Sequence, residues 1–257
     1  MKNSLTGFVL AIQFFTAIPV QKQVAMNARS VTWMYGWLPF IGLLMGTVLA
    51  CLVLLFTTVA PVSTLFLVIL LVVATIAFTG GIHLDGWVDL SDAYFSYGDK
   101  EKRLEILDDP RTGAFGAISL MCLLLLKIGV IYEALQHGST ALLPYFICIP
   151  MLARMAILLY FLTMKPSKEK GLAAYFKKTV EPVLLKWLVA VYVMGLLAAV
   201  IWLQLTGLAV LFVIIAIIVV IYRHWTTKNF GGMSGDLLGA LCEGTELVLW
   251  MTALFFI

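Results

Sequence analysis

The sequence predicts an all-α fold: a polytopic integral membrane helical bundle of about seven transmembrane helices, with a short N-terminal re-entrant or interfacial helix. Three observations predict it. The chain is 62% hydrophobic and only 12% charged over 257 residues, where soluble domains average about half apolar and about a quarter charged. Its apolar runs reach the roughly 20 residues that cross a bilayer. Its cations gather in alternate connections. A net charge of +3 is too small for a nucleic-acid surface, so no nucleic-acid partner is expected. Cys51, Cys122, Cys148 and Cys242 lie scattered in apolar runs without a C-x-x-C and read as small hydrophobes. The length accommodates a single membrane-embedded domain, residues 1–257.

The elements follow in order. Residues 4–20 (SLTGFVLAIQFFTAIPV) are apolar, too short to span, and ended by Pro19. Lys2 and this run lack a small-residue cleavage pattern, so the segment reads as retained. Spans are expected at 33–58, 61–82, 112–135, 141–164, 183–203, 207–222 and 237–257. Tight breaks fall at Val59-Ala60-Pro61-Val62, at HGST (137–140) and at QLTG (204–207). Fourteen of the 17 Lys and Arg residues lie in or beside alternate connections; the others are Lys2, Lys127 and Arg154. The positive-inside rule then places the charged loops in the cytoplasm and the C-terminus outside.

One stretch, Thr79 to Gly116, holds eight of the 14 acidic residues: Asp85, Asp89, Asp92, Asp99, Glu101, Glu105, Asp108 and Asp109. Carboxylates about 6 Å apart repel by roughly 3 kcal/mol per pair at an effective dielectric of about 20. A cation is therefore expected among them, and hard oxygen donors point to Mg²⁺. Asp85, Asp89 and Asp92 stand at i, i+4 and i+7, one face of a helix continuing out of the membrane from the apolar run before it. Gly86 sits on the other side, where a neighbouring backbone or a phosphate can approach. His83, two residues before Asp85, reads equally as an interfacial hydrogen-bonding residue or as part of the site. Asp109 precedes Pro110 and is expected in a turn. Arg111 suits bidentate phosphate binding or plain anchoring, and Gly113 and Gly116 permit close helix packing.

Charges inside the spans are expensive and are usually paired or functional. Arg154, central in its segment, is expected near phosphate or the Asp cluster; Lys127 and Glu133 stay open. The basic loop from Lys165 to Lys186 reads as a lipid anchor or as a lid over an anionic substrate. The last segment, FGGMSGDLLGALCEGTELVLW, places Asp236, Gly239, Glu243 and Glu246 on one helix face. Gly231, Gly232 and Gly235 precede or open it, a backbone suited to phosphate. Two acidic faces closing around one metal–diphosphate site imply displacement at phosphorus, an alcohol attacking and a nucleotide leaving.

TGGIHLDGWVDLSDA followed by RLEILDDPRTGAFG resembles the signature of the cobalamin synthase family, the adenosylcobinamide-GDP ribazoletransferases. GGMSGDLLGALCEGTELV is similar to that family's ending, and FFTAIPV, LPFIGLLMG and Arg154 fit as well. The resemblance implies a multi-pass enzyme of the bacterial or archaeal cell membrane, with its site facing the cytoplasm. It implies a Mg²⁺-dependent joining of adenosylcobinamide-GDP to α-ribazole or its 5′-phosphate with release of GMP. Association with itself or with other late B12-pathway enzymes is left open. The matching residues are His83, Asp85, Asp89, Asp92, Glu105, Asp109, Arg111, Gly232, Gly235, Asp236, Glu243 and Glu246. On this basis Asp85, Asp89, Asp92, Asp109 and Asp236 hold the metal, and Asp92, with Asp89 and His83, carries the catalysis. Gly86, Glu105, Arg111, Arg154, Gly232, Gly235, Glu243 and Glu246 contact substrate. Ala93, Ala17 and Ser234 depart from the usual Gly, Arg and Thr.

Three other classes share features. A CDP-alcohol phosphotransferase uses a related Asp-Gly motif but with Ala-Arg after it, where this chain has Val88-Asp89. An aromatic prenyltransferase shares the D-x-x-x-D of Asp85 and Asp89 but has a second Asp-rich motif in a different context. A cation transporter calls for acids near mid-membrane on facing helices, whereas these cluster at one edge.

Overall fold

The computed structural model describes residues 2–138, 142–204 and 206–257. Among them the chain forms twelve α-helices and no strand, only a single bridge between Pro166 and Met233. Helix α1 (Lys2–Phe15) has 14 residues and packs on α2 (Ala28–Gly36). Gly7 brings the two together: a Cβ there would lie 2.8 Å from the Ser30 carbonyl oxygen. After α1 the chain folds back, with Gln13 Nε2 donating to the carbonyls of Val20 and Lys22, both at 2.8 Å. Asn27 caps α2 reciprocally with Ser30, each side chain accepting from the other residue's backbone N–H at 2.9 Å.

α2 runs through α3 (Leu38–Leu54) and a π-helical turn (Leu55–Val59) as one apolar rod of 32 residues, the first crossing. α4 (Thr64–Thr79) returns. The later crossings are α7 (Ala114–Gln136), α8 (Leu143–Thr163), α10 (Pro182–Leu203), α11 (Thr206–Phe230) and α12 (Gly235–Ala253). Six helices qualify as spans on their own, and α4 makes the seventh when joined to the helix it bends into. The expected breaks fall at His137–Gly138 and Gln204; residues 139–141 and 205 of those turns lie outside the described residues.

The main correction concerns α5 (Ile82–Phe95), which carries the first acidic face. It does not continue α4 outward but turns from it by 93°. Gly80 and Gly81 cause the turn, with φ of +66° and +78°. That left-handed backbone is open to glycine at little cost and terminates a helix. α4 therefore ends at Thr79, and α5 leaves its axis. The short helices α6 (Lys100–Leu107) and α9 (Leu172–Thr179) fall at the same face.

α8 is the hub, with fourteen buried residues. It crosses α3 at Gly42 and Gly46, a small-x-x-x-small pair that lets backbones touch. A Cβ on Gly42 would meet Met151 Cα at 2.8 Å, and one on Gly46 would meet the Phe146 carbonyl oxygen at 2.5 Å. The outward faces stay apolar, as on α10 with Trp187, Val191 and Met194 exposed. That inverts the soluble pattern and suits lipid as the surrounding solvent. Gly46→Leu should therefore lower the thermal unfolding midpoint in detergent, an overpacking cost of about 1–3 kcal/mol or more. Gly129→Ala on α7, where a Cβ meets nothing within 4 Å, should leave the midpoint unchanged or slightly raised.

Candidate active site

The site is built where α5 crosses the start of α12. A Cβ on Gly86 would lie 2.5 Å from the Asp236 carbonyl oxygen, and one on Gly239 would lie 3.1 Å from His83 Cα. The neighbour that Gly86 admits is thus the α12 backbone. This crossing sets Asp85, Asp89 and Asp236 together, from segments about 150 residues apart in the chain. Ser234 starts α12 by accepting the Leu237 N–H at 3.2 Å, and its hydroxyl donates to the Asp236 carboxylate at 3.2 Å. Burial, reinforced by the charges of Asp85, Asp236 and Asp92, pushes Asp89 up to about 7.

No salt bridge among the described residues involves Asp85, Asp89 or Asp236. Nor does any group of three or more His, Cys, Asp or Glu side chains close into a ready-made metal cage among them. The donors present are hard carboxylate oxygens. They fit an ion of the Mg²⁺ type, which keeps waters and takes one or two carboxylates together with substrate phosphate oxygens.

Asp92 is placed differently from its two helix-mates. It is 9% exposed, and its oxygens accept N–H bonds from Gly113 at 2.7 Å and Gly116 at 2.8 Å. Those are the first amides of α7, so Asp92 caps that helix from across the gap. Gly113 and Gly116 are small because the carboxylate fills the space of their missing side chains; a Cβ on Gly113 would meet Asp92 Cγ at 2.8 Å. Asp109 pairs with exposed Arg111 at 2.5 Å, and the bonds from Arg111 hold Asp109 down at about 2. Glu105 faces out and pairs with Lys102 at 3.0 Å. Neither pair joins the Asp85–Asp89–Asp236 group.

Glu243, Glu246 and Arg154, expected against substrate, are instead buried with Lys127. Lys127 binds Glu243 and also Glu246 at 2.9 Å, and Arg154 binds Glu246 and the Pro150 carbonyl at 3.1 Å. One face of α12 is thus divided. Asp236 sits at its mouth, and Glu243 and Glu246 lie about 10 and 15 Å deeper at 1.5 Å per residue. Two cations balance two carboxylates where water is absent. His83 Nδ1 lies 3.5 Å from an Arg154 guanidinium nitrogen, linking this quartet to the residue beside Asp85. Glu133, also open in the sequence, ends α7 exposed and 3.6 Å from His137.

Two cavities meet at Gly235 and Asp236. One, of about 240 Å³, runs between α1, α2, α9 and the α5–α12 crossing, past Phe14, Tyr35, His83, Asp85 and Phe176. The other, of about 270 Å³, opens toward Ser167, Lys168 and Lys170 of the basic loop. That loop is fixed at its start. Lys168 binds Asp108 and the Leu104 carbonyl, and Met233 exchanges backbone bonds of 2.9 Å with Lys165 and Ser167. Gly232 admits this strap, since a Cβ there would lie 2.5 Å from the Lys165 carbonyl oxygen. Gly235 alone of the candidate glycines faces open space. The aromatic wall went unread in the sequence because Phe14, Tyr35 and Phe176 come from three separate elements; FFTAIPV was its one local trace.

The fold and site define a polytopic helical membrane protein with an acidic centre at one face, flanked by an apolar and a basic cavity. A family profile described as cobalamin-5-phosphate synthase matches residues 7–254, and the chain belongs to that family. It is 37% identical over 257 residues to an adenosylcobinamide-GDP ribazoletransferase of Geobacillus kaustophilus, covering 97% of this chain and 95% of the relative. Proteins of the same name from Acinetobacter baumannii and Clostridium botulinum are 32% and 28% identical, covering 96% and 99% of both chains. No solved structure matches the chain.

Two outcomes test this geometry. Lys127→Met leaves two buried carboxylates short of a cation and should cost about 3–5 kcal/mol, with Lys127→Met/Glu243→Gln recovering much of the loss. Asp92→Ala should lower the unfolding midpoint through loss of the α7 cap, by about 1–2 kcal/mol.

Proposed function

We propose that the chain is an adenosylcobinamide-GDP ribazoletransferase that joins adenosylcobinamide-GDP to α-ribazole or its 5′-phosphate and releases GMP. The observation that carries this reading is the meeting of Asp85, Asp89 and Asp236 with no salt-bridge partner among the described residues, in a chain matched along nearly its whole length to proteins of that name. A ribose hydroxyl that stays free when the 5′ oxygen carries phosphate attacks the phosphorus attached to cobinamide. The bond from that phosphorus to the oxygen bridging to GMP breaks, GMP leaves, and the hydroxyl proton passes to a carboxylate of the cluster.

One or two of Asp85, Asp89 and Asp236 would hold Mg²⁺ together with phosphate oxygens, and the ion when bound neutralises phosphoryl charge and orients the diphosphate. Whichever of the three carboxylates does not bind the ion is left to take the proton, whereas both oxygens of Asp92 already accept backbone amides. Lys168 and Lys170 lie where diphosphate oxygens approach Asp236, as the open backbone at Gly235 permits. The cation-rich loops support a cytoplasm-facing site in a bacterial or archaeal cell membrane, with the C-terminus outside.

Purified protein in liposomes should release GMP only when adenosylcobinamide-GDP, ribazole and Mg²⁺ are all present. Chelation should abolish release, and added Mg²⁺ should restore it. Asp236→Asn should lower kcat/KM by about 100-fold or more while the unfolding midpoint holds. Wild-type protein that is folded, supplied with all three and silent would overturn the assignment.

A further inference from the structure

We infer that the aromatic cavity between α1, α2, α9 and the α5–α12 crossing seats the fused bicyclic base of the acceptor nucleoside, with Tyr35 and Phe176 selecting an apolar aromatic base over a purine. The inference rests on the ribazoletransferase reading and adds which cavity takes which substrate.

Position comes first. Asp85 and Asp236 stand in the wall of this cavity, and the rest of it leads away among hydrophobic side chains. A nucleoside lying here with its base inward brings its sugar hydroxyl to the carboxylates. The second cavity shares Gly235 and Asp236 but leads to Lys168 and Lys170. Two substrates can thus approach one phosphorus by separate routes, as in-line displacement requires.

Lining comes second. Phe14 meets Phe176 edge to face at 5.5 Å and 82°, and Tyr35 meets Phe176 at 5.8 Å and 78°. Tyr35 is held from behind by stacking on Phe161 at 4.0 Å. Such a wall offers ring faces and edges to a flat aromatic guest. Tyr35 lines the cavity, and its hydroxyl makes no hydrogen bond to the described residues. A hydroxyl open to the cavity can donate to a ring nitrogen of the base.

Size and polarity come third. At about 240 Å³ the cavity is below the roughly 300–1,000 Å³ usual for drug-sized ligands. It suits one base. Guanine would bury a polar edge of several donors and acceptors against phenylalanines and leave them unsatisfied, whereas a dimethylbenzimidazole presents methyl groups and one free ring nitrogen.

The test uses full-length protein in liposomes, with each substrate varied at saturating levels of the other. Tyr35→Phe should raise KM for ribazole about fivefold, and Phe176→Ala should raise it about 30-fold. Ile82→Trp, at a half-exposed position on this cavity alone, should fill it and raise that KM about 100-fold without unfolding the protein. KM for adenosylcobinamide-GDP should stay within about twofold throughout. Free 5,6-dimethylbenzimidazole should compete with ribazole, and guanosine should not. An unchanged ribazole KM in Ile82→Trp, or competition by guanosine against ribazole, would overturn the base assignment while GMP release by the wild type still stands. Absence of wild-type turnover would instead strike the reaction itself.

Discussion

The contact on which the rest depends is that of two backbones, α5 at Gly86 and α12 at Asp236, with Gly239 under His83 completing it. A side chain at either glycine would hold the helices apart, and the acids flanking the contact would lose one another. Each residue step along a helix rotates direction by about 100°. The fit is therefore one of register as well as distance. It places Asp85, just before Gly86, beside Asp236 in the same cavity wall. Like charges gather here because backbone packing imposes it, and the electrostatic cost is left for a divalent cation and its phosphates to relieve.

Two braces keep that contact in place. Asp92 ties the middle of α5 to the first turn of α7 through two amide bonds. Deeper in the bundle, Lys127 from α7 and Arg154 from α8 grip the two glutamates of α12. Removing any one member strands a charge without water, which accounts for ionic groups persisting where apolar ones would pack. A transporter would need these groups accessible along a path. Here they are satisfied by one another and buried.

Much of this was legible in the sequence. Composition and run length gave the six or seven crossings, and the i, i+4 spacing of Asp85 and Asp89, with a second acidic face opening at Asp236, pointed to where the structure gathers its acids. What stayed hidden has physical reasons. Helical spacing alone put Asp92 on the same face as Asp85 and Asp89, and it could not reveal that the α7 amides claim its oxygens. Periodicity likewise joined Glu243 and Glu246 to Asp236, because a face says nothing of depth. Lys127 and Arg154, the two cations in mid-span, were the signal that those glutamates had partners of their own. The 93° turn was announced by Gly80-Gly81, which reads as a helix stop once given more weight than the hydropathy running through it. The aromatic cavity is a product of tertiary assembly, and no single segment encodes it.

The buried quartet has one more consequence. Its formal charges, two positive and two negative, sum to zero. An electric field across a bilayer does work on displaced net charge, about 2.3 kcal/mol per elementary charge per 100 mV. A locked, neutral set of side chains offers such a field nothing to push. Moving that set as a unit would therefore couple only weakly to a membrane potential.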